Sequence, residues 1–398
     1  MHNSYKVALF LETSRHYGRE LTNGIIRYSR LFGPWSFYRD DQFYINRASK
    51  KDLSYLKSWG VEGIITRDFK GVASLLDLDV PIITAINLGQ LETHVQIRAD
   101  NEFIGKLAFE YFLNKGFKEF AFCGFSNMPW SMIRQTGFDQ TAHQNKFKTH
   151  TFNSPSSGRM LHRNDEYMKL AKWLKKLPKP IGLFCCNDDR GYDAIEACRI
   201  ANLKVPYEIA VLGVDNDNQT CETSNPPLSS LFLGVEKAGF DAAACLHKLM
   251  MGKHVDFEEI VVSPVSIIER HSTDIMAIQD ENVTNALQFI HEHSRQLIQA
   301  EEVASAVGIS RRSLEKKFHY TLGHSIFEEI RRYRIETICK LLIETDMSIS
   351  EIALMLGYND SDHIARFFKK EKNITPKQFR DTYGLKKRYT ESKLTTTD

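Results

Sequence analysis

Short, continuous runs of apolar residues recur along the first two thirds of the chain, and amphipathic stretches separate them. The first run, residues 6–11, reads KVALFL and precedes a polar loop and an amphipathic segment that ends at Phe32. A strand that is buried on both faces of a parallel sheet has this continuous apolar character. Its alternation with helices predicts a doubly wound α/β fold. The other predicted strands are 35–38, 63–66, 81–85, 120–124, 181–185 and 209–213.

The alternation restarts after Asp100 and Asn101, where a predicted helix runs to Leu113 before the next strand. Two successive half-sheets indicate two similar lobes with a cleft between them. Ligands of such sheets bind where loops leave the carboxyl ends of the strands. The sequence therefore predicts a two-lobed α/β domain over residues 1–274, with a ligand cleft.

The pattern becomes helical after residue 283, and the region 298–380 contains the same unit twice. In each unit a short amphipathic helix with a buried alanine precedes a glycine, a polar N-cap and a second helix. This order is typical of a helix-turn-helix motif. The corresponding pairs are Ala304 and Ala353, Gly308 and Gly357, and Ser310 and Asn359. The alanines lie 49 positions apart but Leu314 and Ile364 lie 50 apart, so the second turn contains one extra residue.

A single helix predicted over residues 325–343 connects the two motifs. Together they predict an all-α domain over residues 283–390, which a short linker at 275–282 joins to the first domain. The last residues, 391–398, contain little that could stabilise an ordered structure, so we expect a disordered tail.

Composition is that of a globular protein. The 398 residues suit two or three domains, with 42% hydrophobic and 26% charged residues. A net charge of +2 indicates no particular partner, so a nucleic-acid interface must depend on local basic residues. Seven cysteines, an odd number, argue against a full disulfide framework. We find no signal peptide and no apolar run of membrane-spanning length, and expect a cytoplasmic protein without a membrane partner.

An enzymatic function finds little support in the sequence. The strings H-E-x-x-H, G-x-S-x-G and the P-loop are absent. The neighbouring carboxylates Asp188 and Asp189 would point to opposite sides of a strand. His162 and His271 are expected as ordinary surface or core residues. With no C-x-x-C pair for zinc, the sequence predicts no enzyme, no metal and no cofactor.

The C-terminal region resembles the DNA-binding domain of AraC-type transcription regulators over about the last hundred residues. It departs from the family pattern at Ile364, where an aromatic residue is usual, and at Asn373, where glycine is usual. Asparagine is the next most tolerant residue for a left-handed helix end, so the second change should cost little. The matching residues are Arg334, Leu341, Leu342, Ile352, Ala353, Gly357, Tyr358, Arg366, Phe368, Lys369, Lys370, Thr375 and Pro376.

Residues 5–272 resemble the effector domain of LacI-type repressors, which is itself similar to periplasmic sugar-binding proteins. The matching residues are Asp100, Asn101, Arg134, Gly137, Phe138, Asn187, Asp188, Val205, Pro206, 213–216, 226–230 and Gly239. With its AraC-type end, the whole chain resembles bacterial activators of pentose utilisation, including the junction VSIIERHST at 265–273. This resemblance implies a periplasmic-binding-protein-like fold, a sugar ligand (D-xylose or another pentose), promoter DNA, RNA polymerase as a partner and a homodimer.

Loop positions and this resemblance together give a set of candidate sugar contacts. Carboxylates and amides accept or bridge sugar hydroxyls, arginine donates as a fork, and an aromatic ring covers the C–H face. Each of these residues could instead cap a loop or lie on the surface. Leu233 stands where LacI-type domains often have glutamine, which leaves the identity of the sugar open. The candidates are Tyr17, Arg19, Asp100, Trp130, Arg134, Asn187, Asp188 and Asp215.

Candidate base contacts lie in the first turns of each second helix. Arginine can fork onto guanine O6 and N7, whereas aspartate accepts only from cytosine N4 and is repelled by phosphate. The second of these helices is therefore poorer in cationic readers than the first. Glu315, Lys316 and Lys317 could instead form a salt-bridged face towards solvent. The candidates are Ser310, Arg311, Arg312, Ser313, Lys316, Asn359, Asp360, Ser361, His363 and Arg366.

These patterns predict a sugar-responsive transcription regulator, an activator by resemblance. The sugar should bind the closed lobes better than the open ones and so shift their population. One alternative is a sugar-binding sensor whose C-terminal helices mediate protein contacts, against which the basic residues at 311–317 argue. Another is a regulator that responds to a different sugar.

Overall fold

The computed structural model describes residues 4–39, 53–67, 72–85, 95–155, 163–255, 259–275, 280–358 and 360–383. The chain separates into two units, Met1–Ala277 and Ile278–Asp398. Residues 276–279 of the expected linker and the expected tail at 391–398 lie outside the described residues.

The first unit consists of twelve strands and eight α-helices among its described residues. The strands are β1 (Tyr5–Phe10), β2 (Trp35–Arg39), β3 (Gly63–Arg67), β4 (Ile82–Ala85), β5 (Val95–Ala99), β6 (Phe120–Phe125), β7 (Thr149–Ser154), β8 (Ile181–Cys185), β9 (Ile209–Val214), β10 (Ser229–Leu233), β11 (Glu259–Val262) and β12 (Pro264–Ile268). The helices are α1 (His16–Phe32), α2 (Leu53–Trp59), α3 (Asn101–Asn114), α4 (Pro129–Gln144), α5 (Arg163–Lys176), α6 (Asp188–Ala201), α7 (Asn218–Thr223) and α8 (Val235–Met250). Two 3₁₀ helices cover Val72–Leu78 and His271–Thr273.

Each lobe is built around one six-stranded sheet. The order in the first lobe is β11-β5-β4-β3-β1-β2, and all its pairs are parallel. The order in the second lobe is β12-β10-β9-β8-β6-β7, in which only β12 runs antiparallel to its neighbour. Central strands such as β8 and β9 are buried along their whole length, as their apolar runs predict. The two-lobed α/β fold is confirmed.

The chain crosses between the lobes at three neighbouring points. It enters the second lobe after β5 at Asp100, returns after β10 at Gly234, and crosses again between β11 and β12 at Ser263. The Asp100 N–H donates to the Val262 carbonyl at 2.9 Å, and the Gly234 N–H donates to the Ser263 carbonyl at 3.3 Å. These crossings form the hinge region, and the loops at the carboxyl ends of the strands border the cleft.

The described residues of the second unit form helices joined by short turns, without strands. Its helices are α9 (Glu281–Glu292), α10 (Ala300–Val307), α11 (Arg311–Leu322), α12 (Ile326–Glu344), α13 (Ile349–Met355), α14 (Ser361–Lys372) and α15 (Pro376–Tyr383). α10 with α11, and α13 with α14, are the two helix-turn-helix motifs, and α12 connects them. The all-α second unit with its repeated motif is confirmed, and α12 agrees with the helix expected at 325–343.

Candidate ligand cleft and nucleic-acid interface

Arg134 and Asp215 lie together at the centre of the second lobe's cleft edge. Arg134 Nη2 is 3.8 Å from Asp215 Oδ1. Its Nε donates to Asn101 Oδ1 at 2.9 Å, and its Nη1 donates to the Cys186 carbonyl at 2.5 Å. Asp215 Oδ1 is buried and accepts no hydrogen bond from the residues that the structure describes. A carboxylate oxygen in this state can accept a hydrogen bond from a ligand hydroxyl.

Close packing of α3 against α4 places Arg134 next to Asn101. A Cβ atom on Gly105 would lie 2.1 Å from the Arg134 carbonyl oxygen, and one on Gly137 would lie 2.0 Å from the Glu102 carbonyl oxygen. Any larger residue would therefore push the two helices apart. The two glycines allow the backbone approach that fixes the guanidinium inside the lobe.

The loop after β9 carries Asp215 in a backbone conformation that few residues adopt. Asp215 has a φ of 101° and Asn216 a φ of 53°. Such conformations cost about 1–3 kcal/mol each and persist only where surrounding contacts hold them. The Asp215 N–H donates to the Leu231 carbonyl at 2.9 Å, and the Asn216 N–H donates to Ser230 Oγ at 3.0 Å. Strand β10 thus holds the loop in place.

Asp188 supports the same loop from inside the lobe. Its Oδ2 accepts a hydrogen bond from the Asp217 N–H at 2.7 Å, and its Oδ1 accepts one from Ser230 Oγ at 2.6 Å. Burial raises the pKa of Asp188 well above its ordinary value, and the charge of Asp215 raises it further. Both carboxylate oxygens are used within the lobe, so the geometry makes Asp188 a loop support.

The protonation of Asp215 is sensitive to its surroundings. Burial raises the pKa of Asp215 to about 6; the charge of Arg134 lowers it, whereas Asp189 and Asp217 raise it. Tyr17, in the first turn of α1, is half-buried and faces the same charges. Burial raises the pKa of its hydroxyl, and Asp215 adds to that effect. Tyr17, Arg134 and Asp215 are therefore brought together.

Two ion pairs join the start of α1 to the second lobe. Arg19 Nη2 donates to Asp217 Oδ2 at 2.8 Å, and Arg15 Nε lies 3.1 Å from Asp189 Oδ2. Burial raises the pKa of Asp217, but the hydrogen bonds from Arg19 and from the Thr220 N–H, together with the charges of Arg19 and His16, outweigh burial, and the net shift is downward. Arg19, an expected sugar contact, is thus engaged in a contact between the lobes.

Trp130 belongs to an aromatic wall beside Arg134. The Arg134 guanidinium carbon is 5.1 Å from the Trp130 ring centroid, and the Phe125 ring meets Trp130 edge-on at 6.1 Å. The fully buried Arg190 lies 4.8 Å from the Phe125 centroid and fixes the other side of that ring. Trp130 itself is half-buried, and such a ring can cover the C–H face of a sugar.

Asp100 and Asn187 begin helices at the cleft. Asp100 Oδ1 accepts a hydrogen bond from the Phe103 N–H at 3.2 Å at the start of α3. Asn187 Oδ1 accepts one from the Arg190 N–H at 3.0 Å at the start of α6. Both side chains already satisfy helix ends, and the second oxygen of Asp100 is the atom with which it could accept from a ligand.

Sequence reasoning missed several residues that complete this site: Arg15, Asn101, Phe125, Asp189 and Asp217. Asp217 follows Asp215 by two positions, and Asn101 belongs to the matched Asp-Asn pair, so both carried a signal. The ion-pair partners of Arg15 and Arg19 lie 174 and 198 positions away in the sequence, and no local pattern predicts such pairs.

The first helix-turn-helix begins its second helix as expected. Gly308 ends α10 with a φ of 79°, and Ser310 Oγ accepts a hydrogen bond from the Ser313 N–H at 3.3 Å as the N-cap of α11. Arg312, Ser313 and Lys316 are exposed. Arg311 is exposed too and forms an ion pair with Glu301. The exposed face of α11 is therefore basic, with Arg312 and Lys316 one turn apart on it.

The second motif differs from the sequence prediction at its cap. Asp360 is the N-cap of α14, where its Oδ1 accepts a hydrogen bond from the His363 N–H at 2.6 Å. The expected cap, Asn359, lies outside the described residues, and its assignment as the N-cap is wrong. The extra residue in the second turn explains the difference, because Ser310 and Asp360 are 50 positions apart, like Leu314 and Ile364.

Exposed side chains on α14 have a different character from those on α11. Asp362, His363 and Arg366 are exposed, whereas Ser361 is half-buried. Arg366 Nε donates to the Asp362 carbonyl at 3.3 Å, and the His363 ring packs edge-on against Tyr358 at 5.4 Å. α14 therefore presents a single arginine near its start, beside a carboxylate.

Arg334 is the buried centre of the second unit, with 6% of its surface exposed. From α12 it donates to the carbonyl of Gln296, to the carbonyl of Leu356 at 3.2 Å and to the Tyr358 hydroxyl at 3.3 Å. Its guanidinium also lies 4.7 Å from the Tyr358 ring centroid. Gln296 precedes the first motif and Leu356 lies in the turn of the second, so Arg334 ties both motifs to the connector.

Asn373 ends α14 with a φ of 61°. This confirms that asparagine serves here in place of the usual glycine. Ile364 is buried in the core of the second motif, in the position where an aromatic residue is usual.

The described residues also bear on metal binding and on membrane insertion. No group of three or more histidine, cysteine, aspartate or glutamate side chains there could hold a metal ion. Within the same ranges, every helix is too short or too polar to cross a membrane.

Each of the two units contains a region that matches a known protein family. Residues 109–273 match the family model of a periplasmic binding protein-like domain, and residues 303–382 match that of a helix-turn-helix domain. The xylose operon regulatory protein of Escherichia coli (strain K12) is 30% identical over 387 residues, which are 95% of this chain and 97% of that protein.

Two further comparisons cover almost the whole chain. The xylose operon regulatory protein of Haemophilus influenzae is 29% identical over 390 residues, 94% of this chain and 98% of that protein. The solved structure of the xylose-binding transcription activator xylR has a TM-score of 0.78 at 28% identity, covering 96% of this chain and 99% of that chain. The chain therefore belongs to the family of the xylose operon regulatory proteins.

Proposed function

We propose that the protein is a transcription activator that binds D-xylose in its cleft and promoter DNA through its two helix-turn-helix motifs. The observation that carries this proposal is the buried Oδ1 of Asp215, which faces Arg134 without a hydrogen bond among the described residues. A sugar hydroxyl satisfies such an oxygen, and the same chain presents a basic recognition helix. The relatives named for the xylose operon support D-xylose over other sugars.

The cleft residues take two kinds of role in this proposal. Arg134 and Asp215 bind sugar hydroxyls, and Trp130 covers a C–H face. Tyr17, Asp100 and Asn187 contribute their remaining polar atoms at the rim. Arg19 and Asp188 act indirectly, because their polar atoms hold the lobe boundary and the loop after β9.

DNA contacts are divided unequally between the motifs. Arg312 and Lys316 on α11 are the principal cationic contacts, and Arg311 joins them by leaving Glu301. Ser310 and Ser313 lie at the start of the same helix. From the second motif, His363 and Arg366 contact DNA, as do Asp360 and Ser361 at the start of α14. Asn359, which precedes them in the sequence and lies outside the described residues, is a further candidate contact. Affinity should depend more on α11, because carboxylates on α14 oppose phosphate.

Sugar binding favours the closed arrangement of the lobes and thereby the DNA-binding form of the protein. In this proposal the protein acts in the cytoplasm as a homodimer, contacts RNA polymerase at the promoter and catalyses no reaction. The regulatory function of the relatives supports the proposal that the protein is not an enzyme.

Calorimetry and a mobility shift test the proposal. D-xylose, L-arabinose, D-ribose and D-glucose are titrated into the protein, and a duplex from upstream of its own gene is shifted at two salt concentrations, with and without sugar. We expect binding of D-xylose and a sugar-dependent, salt-sensitive shift. If the protein bound one of the other sugars and not D-xylose, that sugar would be assigned as the ligand in place of D-xylose. The absence of any shift with sugar bound would favour a sensor whose helices contact proteins.

A further inference from the structure

The last segment of the first unit is fastened to the same strand that holds the ligand loop. In β10, Ser229 Oγ accepts a hydrogen bond from the Arg270 N–H at 2.8 Å and donates to the Arg270 carbonyl at 2.9 Å. Ser272 Oγ donates to the Val211 carbonyl at 2.6 Å, and Thr273 Oγ1 donates to Ser229 Oγ at 2.7 Å. These residues immediately precede the end of the unit at Ala277.

The Arg270 side chain extends from this segment to the ligand loop. Its Nη1 donates to Asn216 Oδ1 at 2.9 Å and to the Leu228 carbonyl at 3.1 Å, and its Nε donates to Glu222 at 2.6 Å. Only 11% of the side chain is exposed, so packing as well as hydrogen bonds holds the guanidinium in place. Asn216 is the residue next to Asp215 and has the left-handed φ of 53°.

Ser230 completes the connection on the other side of β10. Its Oγ accepts a hydrogen bond from the Asn216 N–H and donates to Asp188 Oδ1 at 2.6 Å. Neighbouring residues of one strand therefore hold the ligand loop, through Ser230, and the end of the unit, through Ser229. Arg270 is the side chain that joins the two directly.

We infer that Arg270 is a positioning residue that couples sugar binding at Asp215 to the segment at 270–273, by which the chain leaves the sugar-binding unit. The inference rests on the proposed function. When a sugar hydroxyl binds Asp215, a change in the backbone at 215–216 alters the Asn216 contact, and the guanidinium transmits it to residue 270. Lysine cannot replace this group, because it lacks the planar fork that contacts Asn216, Glu222 and Leu228 together.

A purely structural role for Arg270 makes a different prediction. If it only stabilised the end of the domain, its loss would lower the melting temperature, yet saturating sugar would still change DNA affinity by the wild-type factor. A coupling role requires that this factor itself decreases. The same factor must appear in the effect of DNA on sugar affinity, because coupling between two binding sites is reciprocal.

The experiment compares Arg270→Met with Asn216→Gly in the full-length protein. Glycine adopts the left-handed conformation readily, so Asn216→Gly removes the side-chain acceptor and preserves the loop backbone. Calorimetry fixes a saturating D-xylose concentration for each variant. The affinity for the upstream duplex is then measured with and without D-xylose. Arg199→Met is the matched control, since Arg199 lies on α6 of the same lobe, pairs with Glu196 at 2.8 Å and has a 66% exposed side chain.

We expect both variants to bind D-xylose. We expect the factor by which saturating sugar changes DNA affinity to decrease about fivefold or more, and so to approach one. Arg199→Met should keep the wild-type factor, and the double variant Arg270→Met/Asn216→Gly should lose no more than either single variant. A wild-type factor in saturated Asn216→Gly would overturn the inference, even if Arg270→Met failed to fold. If the wild-type protein binds D-xylose but its affinity for DNA does not change with the sugar, the proposed function is refuted, not only the inference on Arg270.

Discussion

Asp215 combines a left-handed backbone, a raised pKa and an oxygen without a hydrogen bond among the described residues. Its neighbours Asp188 and Arg134 are held rigidly by contacts within the lobe. The strain and the desolvation of the carboxylate are thus located at one residue, as is common at binding sites. A ligand hydroxyl would offset part of that cost.

Replacing Arg134 or Asp215 by alanine should abolish most of the response to sugar while leaving a folded protein. Each change leaves a buried polar partner unpaired, at a cost of about 1–3 kcal/mol in binding free energy. The measurement is the increase in melting temperature that D-xylose produces. Lys237→Ala on the exposed face of α8 serves as the control. Wild-type increases in both cleft variants would refute this assignment.

Sugar affinity should depend on pH through Asp215. Its folded pKa, about 6, is raised by burial, so in the free protein its contribution to stability is present at low pH and decreases as pH rises from about 4 to about 6. A bound hydroxyl donates to the charged form and lowers this pKa, so affinity should rise with pH through about 6 and level off above 7.

Calorimetry between pH 5 and 8 measures this dependence, with a loss of up to about tenfold in affinity per pH unit below the pKa. The other groups that face the carboxylate are Arg134, Asp188, Asp189, Asp217 and Tyr17. Asp215→Asn removes the titrating group. This variant should bind D-xylose weakly, with an affinity that does not change with pH over this range. An unchanged pH profile in that variant would assign the titration to another residue.

Single-residue roles were the hardest to predict from sequence. Arg134 and Asp215 carried recognisable motifs and lie together as expected. Arg19 and Asp188 carried motifs or loop positions of equal quality, yet their polar atoms contact protein partners instead. Such outcomes depend on tertiary neighbours, for example Asp217, which lies 198 positions from Arg19.

At the scale of elements, the strands that the sequence did not predict lie at the edges of the two sheets or next to those edges. β7, β11 and β12 are sheet edges, and β5 and β10 lie next to edges. An edge strand is half-exposed, so it lacks the continuous apolar run that identifies β8 or β9. Burial alternates in β11, for instance, where Ile260 and Val262 are buried and Val261 is exposed. By contrast, the helix expected at 325–343 agrees with α12 to within one residue at each end, because helix caps are local signals.

Breaking α12 should separate sugar binding from DNA binding. Thr337 lies in the middle of this helix, where its Oγ1 donates to the Tyr333 carbonyl at 2.9 Å. Thr337→Pro removes a helical hydrogen bond and clashes with the preceding turn, at a cost of about 3 kcal/mol or more. We expect it to lose binding to the upstream duplex and to keep D-xylose affinity. Thr337→Ala is the matched control and should retain both; loss of sugar binding in the proline variant would contradict this division.

For the whole molecule, the length of α12 predicts the form of the DNA site. Its 19 residues span about 28 Å at about 1.5 Å per residue, close to the roughly 34 Å of one DNA turn. Each protomer should therefore protect two successive major grooves on one face of the duplex, and a dimer should require two such half-sites. Hydroxyl-radical footprinting on the upstream duplex measures this, and a single protected groove per protomer would refute the use of both motifs.

The three crossings between the lobes also determine the order in which the protein can mature on the ribosome. The first lobe lacks its edge strand until β11 has emerged, and the second lobe lacks β12 until residue 268 has emerged. Neither lobe can be completed before the other is almost finished, although the first begins at residue 5. The helix-turn-helix unit is translated after both lobes, at about 5–20 residues per second. A nascent chain can therefore bind a sugar before its DNA-binding unit has been synthesised.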